Sequence, residues 1–158
     1  MDRCPMTPHG KQTLVDELKH LKEVVRPEVV AAIEEARAHG DLSENAEYDA
    51  AKERQALTEA RFRLVEARIA MAEVIDITKM EASDRVIFGT TIELLDVDTE
   101  DEFTYRIVGE DEADAKKGTI SFKSPIAKAI IGKLVGDEVK VRIPRGVRTL
   151  EILEVHYR

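Results

Sequence analysis

The stretch Val29-Val30-Ala31-Ala32-Ile33-Glu34-Glu35-Ala36-Arg37-Ala38-His39-Gly40-Asp41-Leu42-Ser43-Glu44-Asn45-Ala46-Glu47-Tyr48 decides the fold. A helical run stops at His39-Gly40, where glycine is the usual left-handed terminator. A second helical run opens almost at once, near Leu42. Two long helices joined by a turn of a few residues must lie antiparallel, so the stretch is the bend of a helical hairpin. Toward the N-terminus the first helix begins near Thr7-Pro8, with Thr as cap and Pro at the first helical position. Leu14, Leu18, Leu21, Val25, Val29, Ile33 and Ala36 form its apolar stripe. Pro27 interrupts that stripe, removes a backbone donor and should bend the helix. The second helix is expected to reach Ile75. Leu57, Ala60, Leu64, Ala67, Met71 and Val74, alternating three and four apart, predict a heptad seam. Ala31, Ala32, Ala36, Ala46, Ala50 and Ala51 allow close helix approach and a slim tip. A first arm of about 30 residues is on the order of 45 Å long.

The texture changes near Lys79. Beyond it, strands are expected at 85–97, 102–109, 118–122, 137–143 and 147–156. Pro144-Arg145-Gly146 turns between the last two. Ser124-Pro125 opens a short helix, Ile126 to Ile131, closed by Gly132. The expected fold class is α+β, with a helical hairpin or coiled coil over 1–79 and a mostly antiparallel sheet domain with one short helix over 80–158.

The 158 residues are 35% charged and 4% aromatic, without tryptophan, which favours long exposed helices over one large core. No run approaches the roughly 20 apolar residues of a membrane span. The opening Met1-Asp2-Arg3-Cys4-Pro5 lacks a signal-peptide core, and a single cysteine suits a reducing cytosol. A net charge of −8, split evenly between the halves, argues against a protein that coats duplex DNA by itself. The expectation is a cytoplasmic monomer with no membrane partner.

Asp41 and Glu44 stand three apart at a helix start, so their carboxylates can converge. Such a pair at the end of a rod can hold one hard divalent ion; Mg²⁺ takes one or two carboxylates and keeps water or phosphate oxygens. Asp-x-x-Glu is equally a capping box, and the helix dipole favours acids there. Ser43, Asn45 and Tyr48 read either as contacts to a partner or as helix-start bonding and hairpin packing. Glu47 reads as a spare ligand or a solvated charge. Arg54, Arg61 and Arg68 repeat every seven residues on one helix face, with Arg37 and Lys52 nearer the tip. This is either a basic stripe for a polyanion or a solvated face paired with acids such as Glu53, Glu59 and Glu66. His9, His20, His39 and His156 show no metal-ligand spacing, and no nucleophile triad or phosphate loop is visible. The chain is read as no enzyme in its own right.

Gly40-Asp41-Leu42-Ser43-Glu44-Asn45-Ala46-Glu47-Tyr48 resembles the hairpin tip of the Gre family of bacterial transcript-cleavage factors. So do Met6-Thr7-Pro8-His9-Gly10, Arg26-Pro27-Glu28-Val29 and Glu35-Ala36-Arg37-Ala38-His39-Gly40 in the first half. Phe88-Gly89-Thr90, Tyr105 to Asp114 and Ser124-Pro125-Ile126-Ala127-Lys128-Ala129-Ile130-Ile131-Gly132-Lys133 are similar to its globular domain. The resemblance covers nearly the whole chain in order. It implies a hairpin that enters the secondary channel of bacterial RNA polymerase, reaches the extruded 3′ end of backtracked RNA and stimulates the polymerase's own hydrolysis. Asp41 and Glu44 would act there on a second Mg²⁺ shared with the polymerase, which the free protein is not expected to bind stably. Ser43, Asn45, Tyr48, Arg37, Lys52, Arg54 and Arg61 would contact RNA or polymerase, and the modest basic stripe suits the GreA-like branch.

The second half also resembles the fold of FKBP-type prolyl isomerases. An isomerase needs an aromatic-lined pocket, which Phe88, Phe103, Tyr105, Phe122 and Tyr157 supply poorly. Two further alternatives are a channel-blocking relative that does not promote cleavage and a coiled-coil adaptor indifferent to its tip carboxylates.

Overall fold

A computed structural model describes residues 3–40 and 45–158. The chain forms two compact units, one of Lys11–Ala72 and one that joins Arg3–Gly10 to Glu73–Arg158. Residues 3–10 thus belong with the sheet rather than with the hairpin that follows them. The reason is a two-stranded pairing of β1 (Cys4–Met6) with β2 (Ala72–Val74), continued by the Ile75 amide donating to the Met6 carbonyl at 3.0 Å.

In the hairpin unit, helix α1 (Pro8–His20) passes through a π turn at Leu21–Val25 into α2 (Arg26–Ala38). Thr7 caps α1 as expected, its Oγ1 accepting from the Gly10 amide at 3.1 Å. The expected disturbance at Pro27 takes the form of that π turn. The Arg26 amide donates to Leu21 five residues back, and Val25 and Arg26 keep helical dihedrals. A widened turn is a common way to accommodate an irregularity in the i to i−4 ladder. The predicted stripe holds, with Leu14, Leu21, Val29, Ile33 and Ala36 all buried. Gly40 ends the arm with φ +99°, its amide donating to Arg37.

Helix α3 (Ala46–Ala70) corrects two expectations. It ends at Ala70, not Ile75, because the β-branched segment beyond finds strand partners in β1. Its seam is also displaced by one residue: Ala51, Thr58 and Val65 are buried, whereas Leu57 is 65% and Leu64 43% exposed. The facing core contains Val29, Ile33 and Ala51, with Val25, Ala32 and Tyr48 against it. The buried row carries Thr58 between Ala51 and Val65, so its apolar signal in the sequence is weaker than that of the exposed leucines beside it. Ala36 and Ala51 do lie inside, as the small-residue tip predicted; Ala31, Ala46 and Ala50 are exposed.

The sheet unit orders its strands β5-β4-β3-β7-β6. These are β3 (Thr91–Asp96), β4 (Glu102–Val108), β5 (Thr119–Ser121), β6 (Glu138–Ile143) and β7 (Gly146–His156), and the short helix α4 (Pro125–Ile130) lies between β5 and β6. All pairings are antiparallel except β4 with β5. The first strand starts at Thr91 rather than 85. Gly89, at φ +89°, and a Thr90 hydroxyl donating to Ile87 at 2.6 Å make a turn there, and Arg85 reaches only an isolated bridge to Leu134. Pro144-Arg145 closes the β6–β7 hairpin, with Gly146 at φ +131° opposite Ile143. Ser124 caps α4 through the Ala127 amide at 3.2 Å. Ala127 and Ile130 of α4 join Val86, Ile92, Leu94, Ile107, Leu150 and Ile152 in one core. β3 alternates buried and half-buried residues along its length, so one sheet face carries that core and leaves Glu93 on the other.

Candidate functional site at the hairpin end

Asp41, Leu42, Ser43 and Glu44 lie outside the described residues, so the expected acidic pair and Ser43 have no geometry to report. The residues that flank them on both sides are defined. Asn45, extended at φ −90° and ψ 98°, caps α3, and its Oδ1 accepts from the Tyr48 amide at 3.1 Å. The same side chain donates through Nδ2 at 2.7 Å to the Ala36 carbonyl, which also accepts from the His39 amide at 3.2 Å in the last turn of α2. One residue therefore ties the end of the first arm to the start of the second. Among the described residues, the cap of α3 is Asn45. Asn45 thus makes helix-start bonds of the kind its sequence position allows. Tyr48 packs against the Val29–Ile33–Ala51 cluster, which is likewise its packing alternative. His39 Nδ1 lies 3.2 Å from Glu47, so Glu47 reaches back across the bend.

The basic stripe is laced to the opposite arm. Arg61 makes a two-pronged bond to Glu17 at 2.6 and 2.7 Å, and Arg54 reaches Glu28 at 3.1 Å. The acids that pair with Arg54 and Arg61 come from the first arm, not from Glu53, Glu59 or Glu66 as the sequence suggested. Arg37 and Lys52 are exposed, and Lys52 bonds Gln55 at 3.0 Å. Arg68 is half-buried. A residue the sequence reading did not single out as a candidate also fastens the arms. Arg26, beside Pro27, grips Glu59 with two bonds of 2.8 Å and lies 3.7 Å from the centre of the Phe62 ring. The Arg61 bond holds the Glu17 carboxyl below its ordinary range, and the Arg26 bond does the same to Glu59. These pairs fix the register of the two arms. They are also partly solvated, so an approaching polyanion can compete for the guanidinium groups at modest cost.

In the sheet unit, Phe88, Phe103, Tyr105 and Phe122 pack against the main core. Phe88 meets Phe122 edge-on at 5.9 Å, and Phe103 lies 5.3 Å from Tyr105. These rings are partly taken up by packing against the core.

An α-hairpin with a polar, ion-paired wall and a capped bend, accompanied by a five-stranded sheet unit, defines an α+β protein of two units. Residues 4–74 match the family described as "Transcription elongation factor, N-terminal", and residues 81–157 match "Transcription elongation factor, GreA/GreB, C-term". The chain is 56% identical over 158 residues to "Transcription elongation factor GreA" of Hyphomonas neptunium, covering 100% of each. It is 52% identical over 157 residues to the protein of the same name from Neisseria meningitidis, covering 99% of each. Among solved structures it resembles GreA factor homolog 1 of Thermus thermophilus at 24% identity and a TM-score of 0.44, over 98% of this chain and 99% of that one. The chain belongs to the GreA/GreB family of transcription elongation factors.

Proposed function

We propose that this protein acts on bacterial RNA polymerase in the cytoplasm, inserting its hairpin into the secondary channel and stimulating the polymerase's own hydrolysis of backtracked RNA. The observation that carries the reading is full-length identity of 56% to a GreA elongation factor, together with the tip sequence Gly40 to Tyr48. The donor set of the tip fits a divalent ion, because two carboxylates are what Mg²⁺ takes from a protein when phosphates supply the rest. Asp41 and Glu44 would hold that ion together with the polymerase's own ligands. A second ion there supplies charge stabilisation to in-line displacement at a phosphodiester. The chain's own part is positional. Asn45 ties the two arms where the tip begins, and the Arg26–Glu59, Arg54–Glu28 and Arg61–Glu17 pairs keep the arms in register. Arg37 and Lys52, exposed on the two arms, together with Ser43 and the half-buried Tyr48, are the groups proposed to meet the RNA 3′ end and the channel wall. The sheet unit serves as the docking body, and the protein works as a monomer without catalytic activity of its own.

The test is RNA cleavage in a stalled, backtracked elongation complex, comparing wild type with Asp41→Asn plus Glu44→Gln. Wild type should release short 3′ fragments, and the double variant should bind polymerase yet lose cleavage by at least about a hundredfold. If neither protein releases fragments although both bind, the chain is a channel blocker. If both release them equally, the carboxylates serve only the helix end.

A further inference from the structure

The outer face of the sheet unit holds three side chains whose arrangement the fold does not require. Glu93 of β3 and Glu154 of β7 oppose each other directly, next to a bulge between Glu93 and Leu94. His156 follows on the same face of β7, two residues beyond Glu154. His156 Nε2 lies 2.9 Å from Glu93 Oε2 and 3.3 Å from Glu154 Oε2. One potential ligand atom from each residue falls within 4.8 Å of the other two. Like charges directly opposite each other weaken a sheet, and the His156 imidazole lies against both carboxylates. Glu154 is accordingly pushed above the ordinary carboxylate range by its bond to Glu93. Glu93 is held below that range by its bonds to Glu154 and His156, with Arg158 adding positive charge nearby. The sequence hides this set, since Glu93 is 63 residues from His156.

We propose that Glu93, Glu154 and His156 form a binding site for one transition-metal dication of the Zn²⁺ type. One imidazole nitrogen and two carboxylate oxygens are ligands for Zn²⁺ and its neighbours, whereas Mg²⁺ prefers oxygen alone. Metal–ligand bonds of about 2.1 Å in a tetrahedron place donors about 3.4 Å apart. The two histidine–carboxylate separations, 2.9 and 3.3 Å, are already close to that. Two adjacent strands hold the donors, so little chain entropy is lost on binding. The exposed side of Glu154 leaves room for a water or an anionic ligand in the fourth position. The site is independent of the hairpin and of the proposed action on polymerase.

The test is calorimetric titration of the metal-free full chain with ZnCl₂, beside Glu154→Gln, His156→Gln and a Cys4→Ser control, each checked for native circular dichroism. Wild type and the Cys4 variant should bind one Zn²⁺ per chain, undisturbed by millimolar Mg²⁺. Each cluster variant should bind at least about tenfold more weakly. Absence of saturable binding, or binding equally strong in both cluster variants, overturns the proposal. So does a Glu154→Gln variant with a raised Tm beside a wild type whose Tm ignores zinc, because the cluster is then held by a proton alone.

Discussion

Asn45 serves two helices with one side chain, accepting from Tyr48 and donating to Ala36. Asn45→Ala should therefore lower stability by about 1–2 kcal/mol, the upper part of the range for a lost N-cap. Asn45→Ser keeps an acceptor for the cap but loses the longer side-chain amide that meets Ala36, and should fall between; urea unfolding at neutral pH orders the three proteins. Glu112 has a comparable role in the sheet unit. Its carboxylate accepts from the Thr7 hydroxyl and from the Thr7 and Gly109 amides, the latter two at 3.1 Å. A Cβ on Gly10 would overlap the Glu112 carboxyl. Gly10→Ala should displace that carboxylate from the start of α1 and cost on the order of 1 kcal/mol, again read by urea unfolding. The Thr7-Pro8 start was legible from residue type. The demand for glycine at position 10 was not, because it arises from a side chain more than a hundred residues away.

For α3, the sequence and the structure disagree about which row faces inward. Leucine is the stronger hydrophobic signal, yet Leu57 and Leu64 face solvent while Thr58 and Val65 are buried. The reason is geometric. Asn45 ties the end of the first arm to the start of the second, and the Arg26–Glu59, Arg54–Glu28 and Arg61–Glu17 pairs form with α3 in this rotation. Val65→Ala, at a fully buried site, should cost on the order of 2 kcal/mol. Leu64→Gln should stay within about 0.5 kcal/mol of wild type. A thermal unfolding series on both variants separates the two seams, and the opposite ranking would restore the leucine seam. Pro27 shows a similar division. Its presence announced an irregularity, while the placing of that irregularity as a π turn over Leu21–Val25 was not legible.

At the scale of the molecule, both units carry acids that the fold holds below their ordinary range. Arg61 does this for Glu17, Arg26 for Glu59 and Arg148 for Asp96. A carboxylate with a depressed folded pKa stabilises the native state above its unfolded pKa of about 4 and loses that contribution as pH falls through the lower folded value. Stability should therefore be flat near neutrality and decline below about pH 5. Glu17→Gln should flatten the acid limb for the hairpin. Asp96→Asn, which keeps an acceptor for the Asp98 and Thr99 amides but loses the charge that Arg148 meets at 2.9 Å, should flatten it for the sheet unit. Thermal unfolding between pH 7 and about 3 checks both. Unchanged acid limbs would mean these pairs are no stronger in the native than in the unfolded chain. Raised salt should reduce the Glu17 effect more, since its pair is the more solvated.

By itself the sequence determined the α+β class, the hairpin, the family and most element ends. Thr7-Pro8, His39-Gly40, Ser124-Pro125, Gly132 and Pro144-Arg145-Gly146 act through caps and turns satisfied within a few residues, so their meaning is local. The tertiary structure alone decided the inward row of α3, the end of that helix at Ala70, the partners of Arg26, Arg54 and Arg61, and the meeting of Glu93 with Glu154 and His156. Each depends on a partner far along the chain, such as the 33 residues between Arg26 and Glu59 or the 44 between Glu17 and Arg61. Residue type sets what a side chain can bond, and only chain folding sets which of many equivalent partners comes within reach.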